Sequence, residues 1–304
     1  MTNTSNKIRK SFTISYDFPS TKGHLIDAEE LANNLLSMTK LIKEADKISN
    51  GESSEVSVEV AAHKPGSFEV EIVAWLYAGG IDVISQIGIG AGLTAFSGST
   101  VFNALKQLKN RTIIGKTRNS NGDGYILELQ DGETITVSDE ALPLVENHSI
   151  RKHIDDVFHK PLLKEKDAKV IIKTTIEDEG GNEEAAPDIE FDAIVTAEFK
   201  APPKKEFQEV EETEFKSEVR FTQVNFESKS GWKAFIKDDK PQSVKMEDEA
   251  FLERINNKKK SFIKGELFVV KLRETTTTID DSVKTSLAII EVIRHRTEKS
   301  KKLI

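Results

Sequence analysis

Cysteine is absent from the 304 residues of the chain. Its absence excludes disulfide scaffolds, thiolate metal sites and thiol nucleophiles, and it is typical of proteins kept in a reducing compartment. The first ten residues, Met1 to Lys10, also lack the apolar stretch of a secretory signal peptide. We therefore expect a cytoplasmic protein, with membrane association left open by an apolar segment at residues 74–108.

The common catalytic and nucleotide-binding motifs are missing as well. The chain has no Gly-x-x-x-x-Gly-Lys-Ser/Thr phosphate loop, and Gly88-Ile89-Gly90 lacks the third glycine of a dinucleotide fingerprint at the required spacing. Ser97-Gly98-Ser99 lacks the first glycine of a nucleophile elbow. These absences predict a protein that is not an enzyme and that uses no cofactor.

Three histidines, His148, His153 and His159, lie close together in the sequence beside Asp155 and Asp156. Their spacings of five and six residues do not place two imidazoles on one helix face, as ligands at i and i+4 would be. The pattern favours surface histidines on an amphipathic helix, and no metal site is expected.

Charge is unevenly distributed along the chain. The net charge is -8, from 43 basic and 51 acidic side chains. Residues 1–200 carry 21 basic and 32 acidic side chains, whereas residues 201–304 carry 22 and 19. This difference argues against one nucleic-acid-binding face that runs over the whole chain, and the length is typical of two domains.

The first part of the chain has the pattern of a small α+β unit. Apolar residues alternate with polar ones from Phe12 to Phe18, which predicts a half-buried strand. Asp27 is a helix N-cap, and the helical spacing of apolar residues then continues to residue 48. A hairpin follows at residues 56–72. We expect this strand-helix-hairpin unit to form residues 1–110, and residues 111–200, with a hairpin, short helices and strands, to continue the same domain.

The segment at residues 74–108 is apolar and rich in glycine, with Asp82 as its one acidic residue. Three interpretations remain open: buried core or subunit-interface helices, a membrane-active hairpin, or a glycine-rich ligand loop. Small residues four apart allow helices to pack closely, whereas Asp82 makes insertion into a bilayer costly. The residues expected to mediate self-association or membrane contact are Val83, Ile87, Gly88, Gly92, Leu93, Phe96, Phe102 and Leu105.

A Pro-rich linker at residues 201–207 separates the first domain from a second one at residues 208–304. Several short strand patterns and one helix near residues 248–256 predict a small β-barrel of the OB or SH3-like kind. Phe235 alternates with polar neighbours, which is typical of a core residue. The possible contacts with a partner or nucleic acid are Trp232, Lys233, Lys258, Lys259 and Lys260.

Several patterns together resemble a family of uncharacterised bacterial and prophage proteins of about this length. They are the helix at residues 27–48, the turn Lys64-Pro65-Gly66-Ser67-Phe68, Gly231-Trp232-Lys233, and Phe262-x-x-Gly265-Glu266-Leu267. The resemblance implies a bacterial or prophage setting and a role in phage–host conflict, and it assigns no activity and no functional residue.

The leading hypothesis is a non-enzymatic, self-associating protein that inhibits or scaffolds a protein target. Its expected partners are a second copy of itself and that target. One alternative is a membrane-associated effector that acts through residues 74–108. The other is a nucleic-acid-binding module formed by residues 208–304.

Overall fold

The computed structural model divides the chain into two compact units, unit 1 at residues 1–207 and unit 2 at residues 208–304. At 175–177, 183–185 and 296 only the backbone is described. The residues whose structure is described are 7–19, 26–61, 69–90, 95, 98–164, 166–177, 183–237, 240–257 and 266–296.

Unit 1 is built on an antiparallel sheet with the strand order β2-β3-β1-β7-β8, and β9 also pairs with β7. A second sheet contains three antiparallel strands in the order β4-β5-β6. The strands are β1 (Lys7–Asp17), β2 (Ser57–Val60), β3 (Glu69–Tyr77), β4 (Ile113–Arg118), β5 (Tyr125–Leu129), β6 (Thr134–Val137), β7 (Lys169–Glu177), β8 (Glu183–Ala185) and β9 (Ile189–Asp192).

The longest helix of unit 1 is α1 (Ala28–Asn50), and the Asp27 side chain caps it by accepting a hydrogen bond from the Glu30 amide at 2.9 Å. Short helices cover the rest of the core. They are α2 (Val83–Ile87), α3 (Val101–Leu108), α4 (Leu142–Val145), α5 (His148–Ile154) and α6 (Ala193–Thr196), with a π-helical turn at Asp155–His159 and 3-10 turns at Lys160–Leu163, Ala197–Phe199 and Lys204–Phe207.

Four phenylalanines form the aromatic centre of unit 1. The Phe102 ring lies 5.1 Å from Phe158, 5.4 Å from Phe191 and 5.2 Å from Phe199, measured between ring centroids. All four side chains have no exposed surface. Since aromatic pairs at these distances stabilise a core beyond the area they bury, α3 and the π-helical turn are fixed against β9 and the turn at residues 197–199.

One expected strand ends earlier than the sequence suggests. The apolar residues from Ile189 to Phe199 favour one strand, but β9 ends at Asp192 and the chain then turns into α6. The Asp192 side chain accepts hydrogen bonds from the amides of Ile194 at 2.9 Å and Val195 at 2.8 Å. This cap starts a helical turn where the hydrophobic pattern alone predicts extended backbone.

Unit 2 contains a closed five-stranded barrel with the order β10-β11-β12-β14-β13, in which β13 returns to pair with β10. The β12–β14 pair is parallel and the other pairs are antiparallel. The elements are β10 (Glu209–Gln223), β11 (Trp232–Ile236), β12 (Gln242–Met246), α7 (Glu249–Asn256), β13 (Leu267–Ile279) and β14 (Ser282–Arg296).

Three strands of the barrel extend beyond it as an arm, which consists of residues 209–216, 271–279 and 282–286. In the arm β13 lies between β10 and β14 and pairs with both. β11 pairs with β10 only from Val219 onward, and β12 pairs with β14 only at residues 287–289. The arm therefore presents two strand edges that pair with no other strand of the described chain.

Candidate nucleic-acid interface

Side chains of β10, β11 and β12 alternate between the barrel interior and its surface. Val219, Trp232 and Ala234 have no exposed surface and fill the interior. The residues that alternate with these buried ones along each strand point outward. This basic face, as we name it, consists of Arg220, Lys233, Phe235, Ser243 and Lys245.

Strand register brings the residues of the basic face next to each other. Arg220 lies directly opposite Phe235 across the β10–β11 pair, and Lys233 lies opposite Ser243 across the β11–β12 pair. Directly opposite residues in antiparallel strands have Cβ atoms about 4.5–5.5 Å apart. Lys245 is two residues from Ser243 on the same side of β12. Arg220 and Lys233 thus flank one partly exposed aromatic ring, and Lys245 extends the row of cations along β12.

The cations of the basic face are free to bind an anion. Arg220, Lys233 and Lys245 are exposed, and none of them forms an ion pair with another residue in the described part of the chain. Next to this face, a surface depression is lined by Lys216, Ser217, Glu218, Lys237 and Val269.

Four acidic residues of unit 2 lie away from the basic face. Glu209, Glu211, Glu212 and Glu214 are on the arm, beyond the start of the β10–β11 pairing. Glu218 lies closer: it is exposed and two residues from Arg220 on the same side of β10. Asp238 and Asp239, between β11 and β12 in the sequence, lie outside the described residues.

Trp232 is a core residue, so the expectation that it contacts a ligand needs correction. Its ring has no exposed surface, stacks edge-on against Phe221 at 5.4 Å, and donates its Nε1–H to the Ser228 carbonyl oxygen at 2.9 Å. Phe235, which the pattern suggests is a core residue, instead faces outward and is half-buried. The two aromatic residues have exchanged the roles that the sequence suggests.

The other expected contacts of unit 2 have different outcomes. Lys233 lies on the basic face, whereas Lys258, Lys259 and Lys260 lie outside the described residues. Sequence reasoning missed Arg220 and Lys245. The signal that could have found them is the outward phase of β10 and β12, which follows once Val219 and Val244 are assigned to the interior.

The structure places α2 and α3, the described helices of the apolar segment at residues 74–108, in the core of unit 1. Val83, Ile87, Phe102 and Leu105 have no exposed surface. Gly88 has φ of 115°, and a Cβ atom there would lie 2.6 Å from the Phe102 ring. Burial within their own unit favours the core interpretation of these residues over a role in self-association or membrane contact. Gly92, Leu93 and Phe96 lie outside the described residues.

No helix in the described portion of the chain combines the length and the apolar character needed to cross a bilayer. The segment at residues 74–108 contains only two short helices among its described residues, α2 and α3, and the larger of them has eight residues.

The three clustered histidines do not converge. His153 faces α1, with Nε2 3.9 Å from the Glu44 carboxylate, and burial, assisted by Lys152, lowers the pKa of His153 to about 4. His159 lies on another side, with Nδ1 3.4 Å from the Thr196 hydroxyl. Over the described ranges, no group of three or more His, Asp or Glu side chains could hold a metal ion.

No family model, no curated protein and no solved structure matches this chain.

Proposed function

We propose that unit 2 binds single-stranded nucleic acid on the basic face. The observation that carries this proposal is the placement of two exposed cations, Arg220 and Lys233, beside the Phe235 ring on one side of a closed barrel, with Lys245 on the neighbouring strand. None of the three is ion-paired among the described residues. Proteins that bind single strands without sequence preference combine cations that follow the phosphates with aromatic rings that stack on bases. Arg220, Lys233 and Lys245 would contact phosphates, and Phe235 would stack on one base.

The topology of the barrel supports the same proposal. We infer that unit 2 is an OB-type barrel, because its strands follow the order one-two-three-five-four, its third and fifth strands are parallel, and α7 lies between its third and fourth strands. OB-folds bind oligonucleotides on the face of their second and third strands. In this chain those strands are β11 and β12, which carry Lys233, Phe235, Ser243 and Lys245.

The test is fluorescence anisotropy of a labelled single-stranded oligonucleotide titrated with the full-length chain at several salt concentrations. Charge reversal in the double variant Arg220→Glu/Lys233→Glu is expected to weaken binding by at least about tenfold, because each cation releases a counterion when it binds a phosphate. The slope of log affinity against log salt should fall by about 1.4, at about 0.7 for each lost contact.

The matched control is Arg254→Glu/Lys43→Glu, which changes the same two residue types and the same charge on α7 and on α1, where both side chains are exposed. It should keep most of the affinity and the salt slope. An equal loss of affinity in the two double variants would mean that only the net charge of the protein matters. An affinity that does not change with salt concentration would contradict phosphate contacts.

A second proposal, self-association, is favoured by the free edges of the arm. The β10 edge carries four glutamates and would repel a second copy of itself, since charges on an edge strand oppose pairing. The β14 edge at residues 282–286 has Lys284 as its one charge, and Val283 is 64% exposed. We propose that two copies of the chain pair through this edge.

Light scattering of the full-length protein tests this second proposal. A dimer is expected for the unmodified chain, and Val283→Lys should shift it to the monomer mass because it adds a charge to the pairing edge. Val210→Lys, on the acidic edge, is the matched control and should leave the mass unchanged. A monomeric unmodified protein, or a dimer that survives Val283→Lys, would rule out pairing through the β14 edge.

A further inference from the structure

A buried arginine in unit 1, outside the proposed nucleic-acid interface, has two side-chain nitrogens that form no hydrogen bond with the described residues. Arg151 on α5 is 2% exposed, and its Nε and Nη2 atoms make no hydrogen bond within the described structure. Burial lowers the pKa of Arg151 to about 10, against the opposing influence of Asp155 and Glu206. The guanidinium is therefore charged at neutral pH, and an unpaired charge in a protein interior is costly.

One helical turn further on, Asp155 has an unpaired buried atom of the opposite type. Its side chain is the first of the π-helical turn and is 5% exposed, and the Oδ1 atom has no hydrogen-bond partner among the described residues. Its Oδ2 atom lies 3.4 Å from the Lys160 ammonium group.

The two residues together specify a ligand. Nε and Nη2 form one edge of the guanidinium, and that edge donates two parallel hydrogen bonds to the two oxygens of a carboxylate. The free Oδ1 of Asp155 accepts a hydrogen bond and attracts a cation. A dianion such as phosphate is disfavoured, because Asp155 and Glu206 both lie within electrostatic range of the guanidinium.

We propose that Arg151 and Asp155 form a binding site for a free α-amino acid. Arg151 binds the α-carboxylate through its Nε/Nη2 edge, and Asp155 binds the α-ammonium group. The ligand then supplies the partners that these side chains lack among the described residues. This site is independent of the basic face and of the proposed function of unit 2.

The turn Lys204–Phe207 offers the route of entry. Glu206 is exposed, acts electrostatically on Arg151, and is held to Thr112 by a hydrogen bond of 3.3 Å. Phe207 contacts the His148 ring at 5.3 Å. Because a long hydrogen bond and a ring contact are weak restraints, this turn can move away from the guanidinium without unfolding α5.

Calorimetric unfolding of the full-length chain with each of the twenty amino acids tests the site. The best binder should raise the Tm of one unfolding transition by about 5–10 °C at about 100 times its Kd. The same carbon skeleton without the amino group, or without the carboxylate, should have little effect. No shift with any amino acid, or an equal shift with inorganic phosphate, would overturn the proposal.

Two variants distinguish a ligand-binding role of Arg151 and Asp155 from a purely structural one. Arg151→Met should weaken amino-acid binding by more than about 30-fold, while the free variant keeps or gains thermal stability, because replacing an unpaired buried charge by an apolar side chain is neutral or favourable. Asp155→Asn should remove the preference for the amino acid over its deaminated analogue. Binding that survives Arg151→Met, or a large fall in the Tm of the free Arg151→Met protein, would show that the guanidinium is a structural group.

Discussion

Replacing Phe102 by alanine is expected to lower the free energy of unfolding of unit 1 by about 3–5 kcal/mol. The Phe102 side chain has no exposed surface and contacts three other phenylalanine rings at centroid distances of 5.1–5.4 Å. Removal of a buried aromatic ring loses its transfer free energy and leaves a cavity that the core fills only in part. A loss of this size is a large fraction of the stability of a typical domain.

Urea-dependent hydrogen exchange, read separately on peptides from unit 1 and unit 2, measures this effect. Peptides of unit 1 should lose protection at lower urea in the Phe102→Ala protein, whereas peptides of the barrel should be unchanged. The matched control is Leu36→Ala on α1, where the side chain is 56% exposed and the expected change is within about 0.5 kcal/mol.

The same measurement distinguishes the interpretations of the apolar segment. If Phe102 belongs to an interface between copies, its truncation changes the oligomer mass and leaves the unfolding of unit 1 nearly unaltered. That result would contradict the core interpretation. A loss of stability at constant mass would establish that this part of the segment holds its own unit together.

Sequence periodicity predicted the presence of the barrel well and the lengths of its strands poorly. Hydrophobic alternation predicts strands at residues 266–273 and 286–293. These stretches are the inner parts of β13 and β14, which continue to a turn at Asp280 and Asp281. Thr275 to Thr278 have no hydrophobic alternation to reveal a strand, because the arm has solvent on both faces. Backbone pairing with β10 on one side and β14 on the other holds this stretch extended instead.

Local sequence patterns could predict neither the basic face nor the site at Arg151, for different reasons. The basic face depends on strand register, which pairs Arg220 with Phe235 across fifteen positions of the chain, and a shift of one residue reverses which side chains face outward. Arg151 lies in a helical stretch with charged neighbours, which predicts a solvated side chain. Its burial, at 2% exposure, comes from tertiary packing around α5, which no local pattern reports.

Trp232 lies in the barrel interior and Phe235 on its outer face, so alanine substitutions at the two positions should have opposite effects on stability and on affinity. Trp232→Ala should lower the free energy of unfolding of the barrel by about 3–5 kcal/mol, because the indole has no exposed surface and its Nε1–H is bonded to the Ser228 carbonyl oxygen. Phe235→Ala should change the stability of the barrel much less, because the Phe235 ring is half-buried on the outer face.

The order of the two variants reverses when affinity for single-stranded nucleic acid is measured. Phe235→Ala should weaken binding by about 5–150-fold, which corresponds to the 1–3 kcal/mol that one base gains from stacking on an aromatic ring. Phe235→Tyr keeps a ring for stacking and is the control that should bind like the unmodified chain. At temperatures where the Trp232→Ala barrel remains folded, its affinity should be nearly unchanged, because the indole touches no ligand. If Phe235→Ala binds normally, any nucleic-acid binding by this chain occurs away from the basic face, and the cations there serve only the solubility of the barrel.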